Sequence, residues 1–134
     1  MFRLVITGSR SWNDKTVILK ELLVIKKKFG KNVILVSGHN PKGADALCEE
    51  VADTFNWSIE TYPPEWRDEN GNFVKSAAFK RNSKMLEDGA DACLAFHKDD
   101  SDGTAHAIKT AQRLDIPTKV VTSKTEKLKG YSVK

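Results

Sequence analysis

The chain has 134 residues, 40% of them hydrophobic and 30% charged, which suits one soluble domain with a single core. No apolar stretch approaches membrane-spanning length, and Met1-Phe2-Arg3-Leu4 leads straight into a strand pattern; a cytoplasmic protein with no membrane association and no signal peptide is expected. The formal net charge of +4 gathers beyond residue 122, where Lys124, Lys127, Lys129 and Lys134 stand against Glu126, so the nearly neutral remainder argues against nucleic acid as a partner.

Strand and helix patterns alternate along the chain. They predict an α/β domain over residues 1–122 on a mostly parallel five-stranded sheet, followed by a basic tail over 123–134. The first strand covers about residues 2–7. A helix follows from near Lys15, with Asp14 as N-cap, Ile18, Leu22, Ile25 and Phe29 as its buried stripe, and Gly30 as C-cap. Val33 to Val36 is continuously apolar and reads as a central strand carrying Ser37-Gly38 at its end. The second helix runs from Gly43 to Phe55, with Ala44, Leu47, Val51 and Phe55 on one face. Trp57 to Tyr62 alternates apolar with polar, as an edge strand does.

Pro63 to Val74 is the one long irregular stretch, of the kind that often serves as a lid or binding loop. A third helix spans about Ser76 to Glu87. Its Lys80-Arg81-Asn82 cluster is either a solvated face or part of a site. Ala92 to Phe96 forms the fourth strand. The last helix starts near Thr104, turns Ile108, Ala111 and Leu114 inward and stops at Pro117, before a fifth strand over Thr118 to Val121. Cys48 on a helix and Cys93 in a strand do not suggest a disulfide framework.

Three apolar runs end in small, Gly-bearing turns that open into helices: Gly8-Ser9-Arg10, Ser37-Gly38 with Gly43-Ala44-Asp45, and Gly103-Thr104. In a parallel sheet all three fall at the carboxyl edge, where helix starts favour an anion such as phosphate. The principal pocket is therefore expected beside Gly8, Gly38 and Gly103. Asp45 fits either a ribose hydroxyl or the helix dipole. Asp99, Asp100 and Asp102 point into water or recruit a divalent cation such as Mg²⁺. His39, His97 and His106 map to the same edge without metal-ligand spacing, so a ligand contact or acid–base role suits them better than zinc.

Taken with Tyr62-Pro63-Pro64-Glu65-Trp66 and the Arg81-Asn82-Ser83-Lys84-Met85 helix, these motifs resemble the SLOG superfamily, specifically its small single-domain YspA-like branch, over about residues 3–121. The resemblance implies a three-layer Rossmann-like domain of strand order 3-2-1-4-5, a nucleotide-type ligand and a homo-oligomer. Related phosphoribohydrolases of the LOG type use an arginine on the third helix, matched by Arg81, and a glutamate that here falls on Ala107. Their Pro-Gly-Gly is replaced by Asp99-Asp100-Ser101. DprA-like relatives bind single-stranded DNA through a basic groove that this chain lacks.

The function expected is binding of a nucleotide or nucleotide-derived phosphorylated ligand, for sensing or sequestration. A nucleotide N-glycosidase or phosphoribohydrolase and a nucleic-acid-processing accessory protein are the alternatives. In the binding account Ser9, Arg10, Gly38, Gly43, Gly103 and Thr104 hold phosphate, Gly8 belongs to the same ligand site, and Arg81 and Asn82 form a clamp. Asp45 takes a sugar hydroxyl, Trp66 stacks on a base, and His39 and His106 contact the ligand. A clamp role predicts that Arg81→Ala leaves the melting temperature nearly unchanged.

Overall fold

A computed structural model describes residues 1–99 and 101–122; Asp100 and the basic tail predicted over 123–134 lie outside the described residues. The elements alternate as β1 (Phe2–Gly8), α1 (Lys15–Phe29), β2 (Val33–Ser37), α2 (Ala44–Thr54), β3 (Ser58–Thr61), α3 (Ala77–Glu87), β4 (Ala92–His97), α4 (Asp102–Arg113) and β5 (Thr118–Thr122). All five strands pair in parallel in the order β3-β2-β1-β4-β5, so the sheet is wholly rather than mostly parallel. No described helix is long and apolar enough to cross a membrane.

Parallel strands buried on both faces must be apolar on both, and β1 shows this. Leu4 and Ile6 join Leu35, Leu94 and Phe96 in a core beneath α1 and α2, with Ile18, Leu22, Cys48 and Val51 from the helices. Val5, with Val36 and Cys93, turns to the opposite face, against Met85, Leu86, Ala107 and Ala111 of α3 and α4. The three layers follow from this alternation.

Local signals set most helix ends. The Asp14 carboxylate accepts from the Val17 N–H at 3.2 Å, and Gly30 closes α1 with its N–H on the Lys26 carbonyl. At the other end of the chain the expected stop differs. α4 ends at Arg113, ahead of Pro117, because Asp115 takes a left-handed backbone (φ 58°) and the Ile116 N–H turns back to the Ala111 carbonyl. α4 also begins two residues before Thr104, at Asp102. β3 is shorter than its alternation suggested. Trp57 leaves the strand and is buried with its indole N–H on the Gly30 carbonyl at 2.8 Å.

Two glycines let the chain close on itself at the carboxyl edge. A Cβ on Gly8 would meet Ala44 and, at 2.9 Å, the Phe96 carbonyl. At Gly43, with φ 77° and ψ −145°, it would strike the Ser9 carbonyl and lie 2.5 Å from the Arg10 Cα. Gly30 has a similar backbone (φ 61°, ψ −126°) but nothing within 4 Å. Gly30→Ala is therefore expected to cost only backbone strain, about 1–3 kcal/mol. Gly43→Ala should lose a further ~1–3 kcal/mol from the clash. Urea unfolding of the two variants checks this, and equal losses would show that the Gly43 contact is not tight.

Candidate functional site

The turns after β1, β2 and β4 enclose a crevice of about 420 Å³ at the carboxyl edge of the sheet. Gly8, Ser9, Arg10, Gly38, Asp45, Arg81, Asn82, Gly103 and Thr104 all line it. His39, Gly43, Trp66 and His106 do not.

Several lining side chains are already engaged by the protein. The Ser9 hydroxyl donates to the Lys98 carbonyl at 2.7 Å and accepts from the Lys98 N–H at 2.8 Å. Thr104 is buried, with its hydroxyl on Ser101 Oγ at 3.1 Å and its N–H capped by the same oxygen at 3.4 Å. Buried Asn82 bridges two helices: its amide donates to the Gly103 carbonyl at 3.2 Å and its carbonyl accepts from Arg81 Nε at 2.9 Å. Gly43 makes room for the Ser9-Arg10 backbone rather than for a ligand. These groups hold the shape of the crevice.

Arg81 is half frame and half site. Its Nη1 donates to the Gly38 carbonyl at 2.6 Å and the Tyr62 carbonyl at 3.2 Å, stitching α3 to the ends of β2 and β3. A Cβ on Gly38 would lie 2.7 Å from Arg81 Cζ, so a side chain there would displace the guanidinium from this position. Nη2 has no hydrogen-bond partner among the described residues. Burial lowers the Arg81 pKa, with the charge of Asp45 opposing and that of Arg10 reinforcing. Arg10 itself is exposed on the crevice wall, without a hydrogen bond or ion pair among the described residues.

Asp45 is buried, and one of its oxygens accepts from the Asn40 N–H at 3.1 Å. Burial pushes its carboxyl up to about 6, against the pull of that hydrogen bond and of the Arg81 charge. A carboxyl poised near neutrality on the wall of a crevice can accept a hydrogen bond from a hydroxyl or hold a proton.

The aromatic surface differs from the one expected. Trp66 stacks parallel on Phe73 within the loop, with ring centroids 5.8 Å apart. Phe79, which sequence reasoning passed over, lines the crevice and is backed by the His106 ring at 4.4 Å and 4°. His106 Nδ1 is buried without a partner among the described residues, and burial lowers the imidazole pKa. His39 turns to α2, its Nδ1 3.0 Å from Glu49 Oε1, while Ser37 Oγ donates to Glu49 Oε2 at 2.8 Å. His97 Nε2 is likewise buried without a partner among the described residues. Asp99 accepts from the Ser11 hydroxyl at 2.9 Å, and no cluster of three or more metal-ligating side chains occurs among the described residues.

Two variants follow. Removing the Arg81 guanidinium strips donors from the Gly38 and Tyr62 carbonyls, so Arg81→Ala should lower stability by about 1.5–3 kcal/mol. This replaces the expectation of an unchanged melting temperature, and Arg81→Lys should not rescue it because the planar fork is lost. A wild-type denaturant midpoint for Arg81→Ala would contradict the stitching role.

For Asp45 the folded pKa lies above the unfolded one. The folded protein binds the extra proton between about pH 4 and 6, and stability falls as pH rises through that window. Asp45→Asn should therefore raise stability near neutral pH by up to about 3 kcal/mol, and the gain should vanish below about pH 4. Urea midpoints on either side of the window test it; an equal gain at both would exonerate the buried charge.

The model of the YspA, cpYpsA-related SLOG family (YAcAr) matches residues 2–68, the span holding the Gly8, Gly38 and Gly43 turns. Over 122 residues the chain is 34% identical to the gene 61 protein of Mycobacterium phage D29, covering 87% of this chain and 94% of that protein. The chain belongs to the YspA, cpYpsA-related SLOG family.

Proposed function

We propose that the crevice binds a nucleotide or nucleotide-derived phosphorylated ligand, and that the protein serves as a sensor or sequestering protein for it. The observation that carries this reading is the pairing of two guanidiniums with one buried carboxyl on a single concave wall. Arg10 has no partner among the described residues, and Arg81 keeps Nη2 unengaged beside it. Such groups recognise phosphate through charge-assisted, bidentate hydrogen bonds. Asp45 suits a sugar hydroxyl, and the Phe79 ring suits a base. Ser9, Gly43, Asn82 and Thr104 contribute by fixing these groups in place. Family membership supports a nucleotide-related ligand in general terms.

Arg10→Ala separates binding from folding, because Arg10 is exposed and makes no internal bond among the described residues. It should weaken a nucleoside monophosphate by about 1.5–3 kcal/mol, roughly ten- to a hundredfold in Kd, with an unchanged melting temperature. Titration calorimetry measures the first and a thermal melt the second. An Arg10→Ala protein that binds as tightly as the parent would remove the phosphate from this wall.

Hydrolysis of the LOG type is not expected. The position of the LOG glutamate is Ala107, which is fully buried and belongs to the same core as Met85 and Leu86. Cleavage at an anomeric carbon develops positive charge that a nearby carboxylate normally stabilises. Incubation with nucleoside monophosphates should release no free base over a time course with or without Mg²⁺. Multiple turnover abolished by Asp45→Asn would instead make Asp45 the acid and put the enzyme reading first.

A further inference from the structure

Arg81 also lines a second cavity of about 520 Å³, bounded by the start of the irregular Pro63–Val74 stretch and by α3. α3 presents Ala78, Asn82 and Met85 to the crevice and Ala77, Lys80 and Lys84 to this second space. Arg81 belongs to both. Its Nη1 spans the divide, bonded on one side to the carbonyl of Gly38, a crevice residue, and on the other to that of Tyr62, a residue of the second cavity. The two cavities are therefore neighbours across one guanidinium, and each falls within the roughly 300–1,000 Å³ of small-ligand sites.

The second cavity has a distinct chemistry. Arg67, Lys80, Arg81 and Lys84 outnumber Glu65 and Asp68 on its walls, and Pro63, Pro64 and Val74 give it an apolar surface. Lys84 is partly satisfied by Asp88 at 3.2 Å, whereas Lys80 is exposed with no hydrogen bond or ion pair among the described residues. Lysines four apart on a helix are ordinarily a solvated face. Here that face forms the wall of a concavity and adjoins Arg81 at the divide, so its positive charge is placed where two spaces meet.

Resting on the reading of the crevice as a nucleotide site, we propose that the second cavity receives the other half of the same ligand. The ligand class is a two-headed molecule, in which a diphosphate bridge passing Arg81 and Lys80 joins two nucleoside-like units. The bridge matches the cations at the divide, and the apolar wall of Pro63, Pro64 and Val74 accommodates the second head.

Titration calorimetry on the full chain tests this with the four ribonucleoside 5′-monophosphates and their symmetrical dinucleoside 5′,5′-diphosphates. The best dinucleotide should bind at least about tenfold more tightly than its own mononucleotide, because its second head binds intramolecularly. Lys80→Glu should abolish that gain while leaving mononucleotide affinity within about twofold, and Lys80→Ala should lose part of it. The exposed position of Lys80 predicts wild-type melting temperatures for both variants. Equal affinity for the two ligand types, or a Lys80→Glu protein weakened towards both alike, overturns the two-headed ligand and leaves the nucleotide site standing. Absence of binding by all eight compounds overturns the nucleotide reading itself, and this inference with it.

Discussion

The carboxyl edge depends on Ser9. Its N–H donates to the Phe96 carbonyl at 2.9 Å, its hydroxyl both donates to and accepts from the backbone of Lys98, and its carbonyl accepts from Trp12 at 3.2 Å and Ala44 at 3.1 Å. One buried residue thereby ties the end of β1 to the end of β4, to the turn leading into α1 and to the first turn of α2. Its groups would be costly to leave unpaired so far from water. Gly8 and Gly43 are the steric counterpart, since the four segments can meet only where no Cβ intervenes.

A second layer of polar contacts closes the opposite wall. Gly103 is held by Asn82, Asn82 by Arg81, and Arg81 by the carbonyls of Gly38 and Tyr62, so α4, α3, β2 and β3 are linked in series. Such a chain fixes the shape of the crevice, which lowers the ordering cost of the binding proposed for it. Asp45 sets the opposite balance. Burial without full hydrogen bonding disfavours its ionised form, and such a cost at a functional surface is commonly tolerated where a ligand can relieve it.

The layers and strand types were legible because their causes are local. Continuous apolar runs in β1, β2 and β4, the Asp14 cap and the Gly30 turn each act within a few residues. The strand order was legible only through the family motifs, since periodicity does not say which strands pair. Nine of the thirteen candidate residues line one crevice, again because the turns after parallel strands share an edge. What each side chain does there was not legible. Ser9 finds its partner 89 positions away and Arg81 finds one 43 positions away, and no local pattern reports such meetings. Phe79 looked like an ordinary helix residue, and Trp66 like a free aromatic, until the fold set one against His106 and the other against Phe73.

The placement of β1 at the middle of the sheet has a consequence for the order in which the protein can be made. Its first partner, β2, follows directly through α1, but its second, β4, begins at Ala92. Strand pairing across an intervening chain must meet its loop-closure entropy before the contact rewards it, and is slow relative to local events. During synthesis β1, β2 and β3 can assemble beneath α1 and α2 while one edge of β1 stays open. The Ser9 hydroxyl has no Lys98 to meet until that edge is filled. The crevice thus cannot exist until β4 and the start of α4 are in place, and a chain cut short before β4 would carry the Gly8 and Gly38 turns without the pocket they are shaped to form.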